Sequence, residues 1–148
     1  MASSTRVDVE FRVRAGPEVV MAALTDLRRL PEWSALHRNV RIESTDDQGR
    51  PIRVALDATF GPIVDRELIE YGWDGIERVN WNVLRSTYLT IQRGSYTLRP
   101  DPDGTQVTMA LEIEAKFLAP KLMVRGLQLA TSKTASKRFK AFAESYAI

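Results

Sequence analysis

The C-terminal segment constrains this fold most. After Phe117-Leu118-Ala119-Pro120 nothing reads as a strand, and Lys121 to Ala147 reads as one long helix. Almost everything between Val7 and Phe117 reads instead as strand and turn. A lone helix after a run of strands must bury its apolar stripe on a second layer, and the sheet is the layer available. A curved sheet wrapped round one helix leaves a hollow, and function is expected there. Met123, Leu127, Ala130, Ala135, Phe139, Phe142 and Tyr146 recur at helical spacing, yet Gln128, Thr131, Ser132, Thr134 and Ser136 crowd the middle. The apolar ends are therefore expected to anchor the helix, and the polar middle to form one wall of a pocket.

The strands follow from alternation. Val7, Val9, Phe11 and Val13 alternate with Asp8, Glu10, Arg12 and Arg14, which is a half-buried strand. Ala15-Gly16-Pro17 breaks it, and Pro17 and Glu18 suit the first turn of a helix carrying Val20, Met21, Leu24 and Leu27. Asp26 marks a break into a second short helix, which Pro31 is expected to end. Six strand-like runs follow: His37 to Ser44, Pro51 to Phe60, Ile63 to Tyr71, Glu77 to Leu84, Thr87 to Arg99 and Thr105 to Phe117. Short turn-forming links between them predict antiparallel neighbours. Gly61-Pro62 is read as a bend that curves the sheet.

Composition narrows the partners. A net charge of +2 with no Lys/Arg-rich block makes nucleic acid a poor partner. The absence of cysteine removes disulfides, thiolate nucleophiles and Cys-ligated metals. No apolar leader or run of membrane-spanning length is visible, so a cytoplasmic protein without an integral membrane segment is expected. No phosphate-binding glycine loop, H-E-x-x-H or G-x-S-x-G is present, so neither metal, nucleotide nor serine-hydrolase chemistry is expected, and no cofactor is implied.

One strand, two short helices, six strands and a long helix form the order of the helix-grip fold. Within it stand Asp26-Leu27-Arg28-Arg29-Leu30-Pro31-Glu32-Trp33, Glu70-Tyr71-Gly72-Trp73 and Val79-Asn80-Trp81. Tyr96-Thr97-Leu98-Arg99-Pro100, Asp103-Gly104-Thr105, Ala119-Pro120 and Arg138-Phe139-Lys140 follow in order. On these segments the whole chain resembles the START-like (SRPBCC) superfamily, in particular its bacterial polyketide cyclase/dehydrase and lipid-transport branch. The resemblance implies an α+β fold over residues 1–148: a curved seven-stranded antiparallel sheet around a long C-terminal helix. It also implies an internal cavity for a hydrophobic or amphipathic small molecule. Two alternatives stay open: a cyclase/dehydratase using a cavity acid or base, and a protein-interaction module. The scaffold alone does not choose between them.

Candidate site residues divide into acid/base groups and lining. Asp65 and Glu67 share a strand face with Ile63, Ile69 and Tyr71, while Arg66 shares the opposite face with Val64 and Leu68. Pointed inward, such a carboxyl would have a raised pKa. The plainer expectation is a solvated face with a cross-strand ion pair to Arg66 or Arg53. His37, the only histidine, opens a strand, is expected at the surface, and has no partner visible in sequence. The lining candidates are Trp33, Phe60, Trp81, Tyr88, Arg93, Tyr96, Met109, Met123, Leu127 and Thr131. Arg93 enters as a clamp for a ligand carboxylate, although a solvated arginine is the simpler reading. Alternation does not choose between its face, with Leu89, Ile91, Ser95 and Thr97, and that of Tyr88, Gln92, Tyr96 and Leu98.

Overall fold

In the computed structural model the described residues are 4–116, Lys121 and 133–147. The elements in order are strand β1 (Ser4–Val13), helices α1 (Pro17–Thr25) and α2 (Leu30–Trp33), and strands β2 (His37–Thr45), β3 (Pro51–Phe60) and β4 (Ile63–Asp74). Strands β5 (Arg78–Arg85), β6 (Leu89–Asp101) and β7 (Gly104–Ala115) and helix α3 (Lys133–Glu144) follow. The predicted helix from Lys121 to Ala147 is thus described over α3. Met123, Leu127 and Thr131 lie outside the described residues.

The seven strands form one antiparallel sheet in the order β1-β7-β6-β5-β4-β3-β2. Its register carries the alternation of each strand onto one inner face. Val54 pairs Ile69, Leu56 pairs Glu67 and Ala58 pairs Asp65 across β3 and β4. Trp81 faces Gly94 across β5 and β6, and Tyr96 faces Met109 across β6 and β7. Directly paired residues present the same side of the pleat.

Two local readings change. Pro31 does not end the second short helix but sits in its first turn, since α2 starts at Leu30 after a 3-10 turn at Leu27–Arg29. A proline lacks an N–H that the first turn could not use, so it is tolerated there. Gly61-Pro62 is a hairpin turn joining β3 to β4, with Phe60 paired to Ile63 and Gly61 at φ 64°, rather than a bend within a strand.

Helix α3 closes one end of the inner face. Phe139, 1% exposed, packs with Val13, Val20, Met21, Leu24, Leu98 and Val107. Trp33 meets the Phe139 ring edge-on at 4.7 Å between centroids. Polar ties hold the same end: Tyr146 donates to Asp26 at 2.9 Å, and the Arg29 guanidinium lies 4.8 Å from the Phe142 ring centre. Glu144 accepts the Arg14 backbone N–H at 2.7 Å and pairs with Lys140.

Candidate functional site

Beyond this packed end the inner face leaves a cavity of about 130 Å³. Its walls come from four places. Leu24, Leu27, Leu30 and Trp33 descend from the helical segments, and Ser34, Leu36 and His37 from the passage into β2. Ala58, Phe60, Glu67, Ile69, Tyr71 and Trp73 rise from β3 and β4. Val79, Trp81, Gln92, Tyr96, Met109 and Leu111 complete it from β5, β6 and β7.

The aromatic wall is a continuous chain of rings. Trp73 stacks on Tyr71 at 5.7 Å, Tyr71 meets Trp81 at 6.4 Å, Trp81 meets Tyr96 at 5.5 Å and Tyr96 meets Phe139 at 5.7 Å. The separations lie in the range where offset and edge contacts are favourable. Gly94 makes this wall possible. A Cβ there would stand 2.3 Å from the Trp81 ring, so the indole lies directly over the bare backbone of its cross-strand partner. Trp73 lies near the end of β4, and its indole N–H donates to the Pro51 carbonyl at 2.6 Å.

The two acids on β4 correct the expectation of a solvated ion pair. Asp65 is fully buried and Glu67 is 4% exposed, both on the inner face. Arg66 is exposed on the other side, and Arg53 pairs with Glu70 at 3.4 Å. Alternation forced the choice, because turning the acids outward would have turned Ile69 and Tyr71 out as well. The two carboxyls then differ. Asp65 accepts the Ser86 hydroxyl at 2.6 Å and the Thr87 backbone N–H at 2.8 Å, so it ties down the connection between β5 and β6. Glu67 Oε1 is buried with no hydrogen-bond partner among the described residues. Burial first, and then the adjacent Asp65, pushes the Glu67 carboxyl up to about 10, so it is protonated at neutral pH.

His37 also departs from its expected surface position. It lines the cavity, half-buried, with Ser34 Oγ 2.6 Å from its Nδ1. Burial, then the Arg38 charge, lowers its pKa to about 4, so the imidazole is neutral at pH 7. Burial likewise raises the Tyr71 and Tyr96 phenols, and both stay protonated. Two further buried polar atoms of the lining have no partner among the described residues: Trp33 Nε1 and Gln92 Oε1. Such orphans are rare in native interiors, and each needs a physical reason.

Among the lining candidates, Trp33, Phe60, Trp81, Tyr96 and Met109 meet around this one cavity. Arg93 and Tyr88 do not. Arg93 stands on the outer face, where it bonds Glu112 at 2.5 Å, because it has the opposite parity to Gln92 and Tyr96. Tyr88 lies beyond a register shift between Leu89 and Ile91, which turns Leu89 inward in its place. Tyr88 packs half-buried against the cluster of Ala58, Phe60 and Leu89. Sequence reasoning missed Gln92 and Ser34. The face shared by Gln92, Tyr96 and Leu98 was the available signal for the first. Among the described residues no group of three His, Asp or Glu side chains has metal-binding geometry.

An open antiparallel sheet, two short helices after its first strand and a C-terminal helix closing one end of its inner face define the helix-grip fold. The family model described as "Polyketide cyclase / dehydrase and lipid transport" matches residues 4–144, and the chain belongs to that family. Solved structures agree on the fold. A START superfamily protein from Mycobacterium smegmatis is 21% identical, covers 95% of this chain and 97% of its own, and superposes with a TM-score of 0.77. The Zhui aromatase/cyclase from a Streptomyces species is 13% identical, with 96% and 94% covered and a TM-score of 0.79. A protein from Thermus thermophilus is 19% identical, with 94% and 97% covered and a TM-score of 0.74. No curated protein sequence matches the chain.

Proposed function

We propose that this protein binds a hydrophobic or amphipathic small molecule, lipid or polyketide-like, in the cavity between the sheet and the helices. The observation that carries this reading is an apolar space with buried polar atoms on its wall that have no partner among the described residues. Packed cores avoid voids larger than a water and satisfy their polar groups, whereas binding sites keep both for the ligand. The volume of about 130 Å³ is close to that of an engineered apolar cavity, ~150 Å³, that admits benzene. A ligand with one ring, or the ring-bearing end of a longer molecule, matches it. The family description and the aromatase/cyclase neighbour agree with this chemistry. Native mass spectrometry of the purified protein tests it. A co-purifying hydrophobic mass is expected; apo protein that also fails to take up any of a panel of hydrophobic ring compounds would overturn it.

A second reading has its own observation. A carboxyl held protonated and an imidazole held neutral face one cavity, and environments that push two titrating groups apart are the usual signature of an acid/base pair. In this reading Glu67 donates a proton and His37 accepts one in a cyclisation or dehydration, while the walls position the chain. Asp65 orients the site through Ser86 and Thr87. Glu67→Gln and His37→Gln should each slow turnover of a polyketide-like substrate by about 10²-fold or more. Unchanged rates in both would leave binding as the function.

A further inference from the structure

Glu67 and Gln92 make demands that an apolar ligand cannot meet. Both side chains are more than nine-tenths buried, both line the cavity, and each has an oxygen without a partner among the described residues. Gln92 Oε1 can only accept. A protonated Glu67 carboxyl has one O–H to donate as well as a lone pair to offer. A group that accepts the Glu67 O–H and donates to Gln92 Oε1 gives both a partner and leaves the Glu67 proton in use. A hydroxyl does both with a single atom. A carbonyl leaves Gln92 unpaired, and a carboxylate likewise has no hydrogen to donate to Gln92 Oε1.

Resting on the binding reading above, we propose that the cavity selects a neutral, hydroxyl-bearing ring compound, with Glu67 donating to the hydroxyl oxygen and Gln92 accepting its hydrogen. The ring then fills the space bounded by Leu27, Phe60, Trp81 and Met109. Trp33 Nε1, the third orphan, supplies a donor for a second oxygen on the ligand. The described lining contains no Lys or Arg to neutralise an anion. An ammonium would have to give up its hydration and displace the Glu67 proton, a costly exchange in an interior of low polarity. Size and polarity thus point the same way, to one ring with an alcohol or phenol group.

Four molecules of nearly equal size separate the possibilities: benzyl alcohol, toluene, benzoate and benzylammonium. Each is titrated into the full chain at pH 7, following the Trp33 indole N–H by NMR, with Trp33→Phe used for assignment. Benzyl alcohol should bind about tenfold more tightly than toluene, the effect of two orphaned groups gaining partners, and both ions more weakly than toluene. Glu67→Gln, whose amide still donates, should keep the preference. Glu67→Leu and Gln92→Leu should each reduce it to about two- or threefold or less, with toluene affinity retained. Retained toluene binding also shows that these variants fold. Equal binding of toluene and benzyl alcohol would overturn the hydroxyl assignment while leaving the binding function standing. Tightest binding by benzylammonium would overturn it in favour of an ionised Glu67. Failure of all four molecules to shift any cavity resonance would instead overturn the binding function itself.

Discussion

The inner face of the sheet is filled in two different ways along its length. At the Phe139 end, the apolar side chains of Val13, Val20, Leu98 and Val107 pack around the Phe139 ring of α3. Further along the sheet, Glu67 on β4 and Gln92 on β6 stand among apolar neighbours, and a cavity opens beside Tyr71, Trp81 and Tyr96. Strand β6 passes from one regime to the other between Leu98 and Gln92. The packed end has the composition that stabilises a fold. The cavity end has the composition that costs stability, and such costs concentrate where a protein binds or reacts.

Substitutions should divide along the same line. The largest effect is expected from Phe139→Ala, which empties the centre of the packed end and should cost about 3–5 kcal/mol in urea unfolding. A loss below about 1 kcal/mol would mean that α3 contributes little to holding the sheet. Gly94→Ala comes next. Its methyl must displace the Trp81 indole, so a loss of about 1–3 kcal/mol and a shifted Trp81 fluorescence are expected. Unaltered fluorescence would remove the indole from the backbone of Gly94.

The pH dependence tests the cavity end directly. The folded Glu67 carboxyl keeps its proton up to about 10, while the unfolded chain loses it near the ordinary carboxylate value. The folded state then binds more protons, so Glu67 makes stability fall as pH rises from about 5 towards 10. For His37 the sign is opposite. Its folded pKa of about 4 lies below the unfolded value, so stability falls as pH drops from about 6.5 towards 4. Urea midpoints measured from pH 4 to 9 should therefore flatten on the alkaline side in Glu67→Gln and on the acid side in His37→Gln. Parallel profiles for wild type and both variants would place these groups in water rather than in the cavity. The smallest effect is expected from Arg93→Ala on the outer face. Its exposed pair with Glu112 should contribute well under about 1 kcal/mol, and ligand affinity should be unchanged.

Much of the fold was legible because period and punctuation act locally. Ile52, Val54, Leu56, Ala58 and Phe60 alternate without interruption, and β3 runs from Pro51 to Phe60 as that pattern predicts. Pro31 misled because a proline both disfavours helix before it and suits the first helical turn, and its neighbours decide which applies. The site was legible only in part. Trp33, Phe60, Trp81, Tyr96 and Met109 were named from residue type and face, and they meet at one cavity. Arg93 and Tyr88 were named on the same grounds and stand elsewhere. Alternation says which residues share a face but not which face is inside, and the register shift after Leu89 altered the parity that placed Tyr88 with Gln92.

The sequence by itself determined the order of strands, the helical C-terminal segment, the family resemblance and the pairing of Asp65 with Glu67 on one face. Those are properties of neighbouring residues and of their spacing. Only the tertiary structure decided that the acids face inward, that Ser86 and Thr87 satisfy Asp65, and that Glu67, Gln92 and Trp33 turn atoms without a partner among the described residues towards a common space. The physical reason is that burial and hydrogen-bond satisfaction depend on what lies across the sheet. Ser86 meets Asp65 across 21 positions of chain, and no local pattern records that contact.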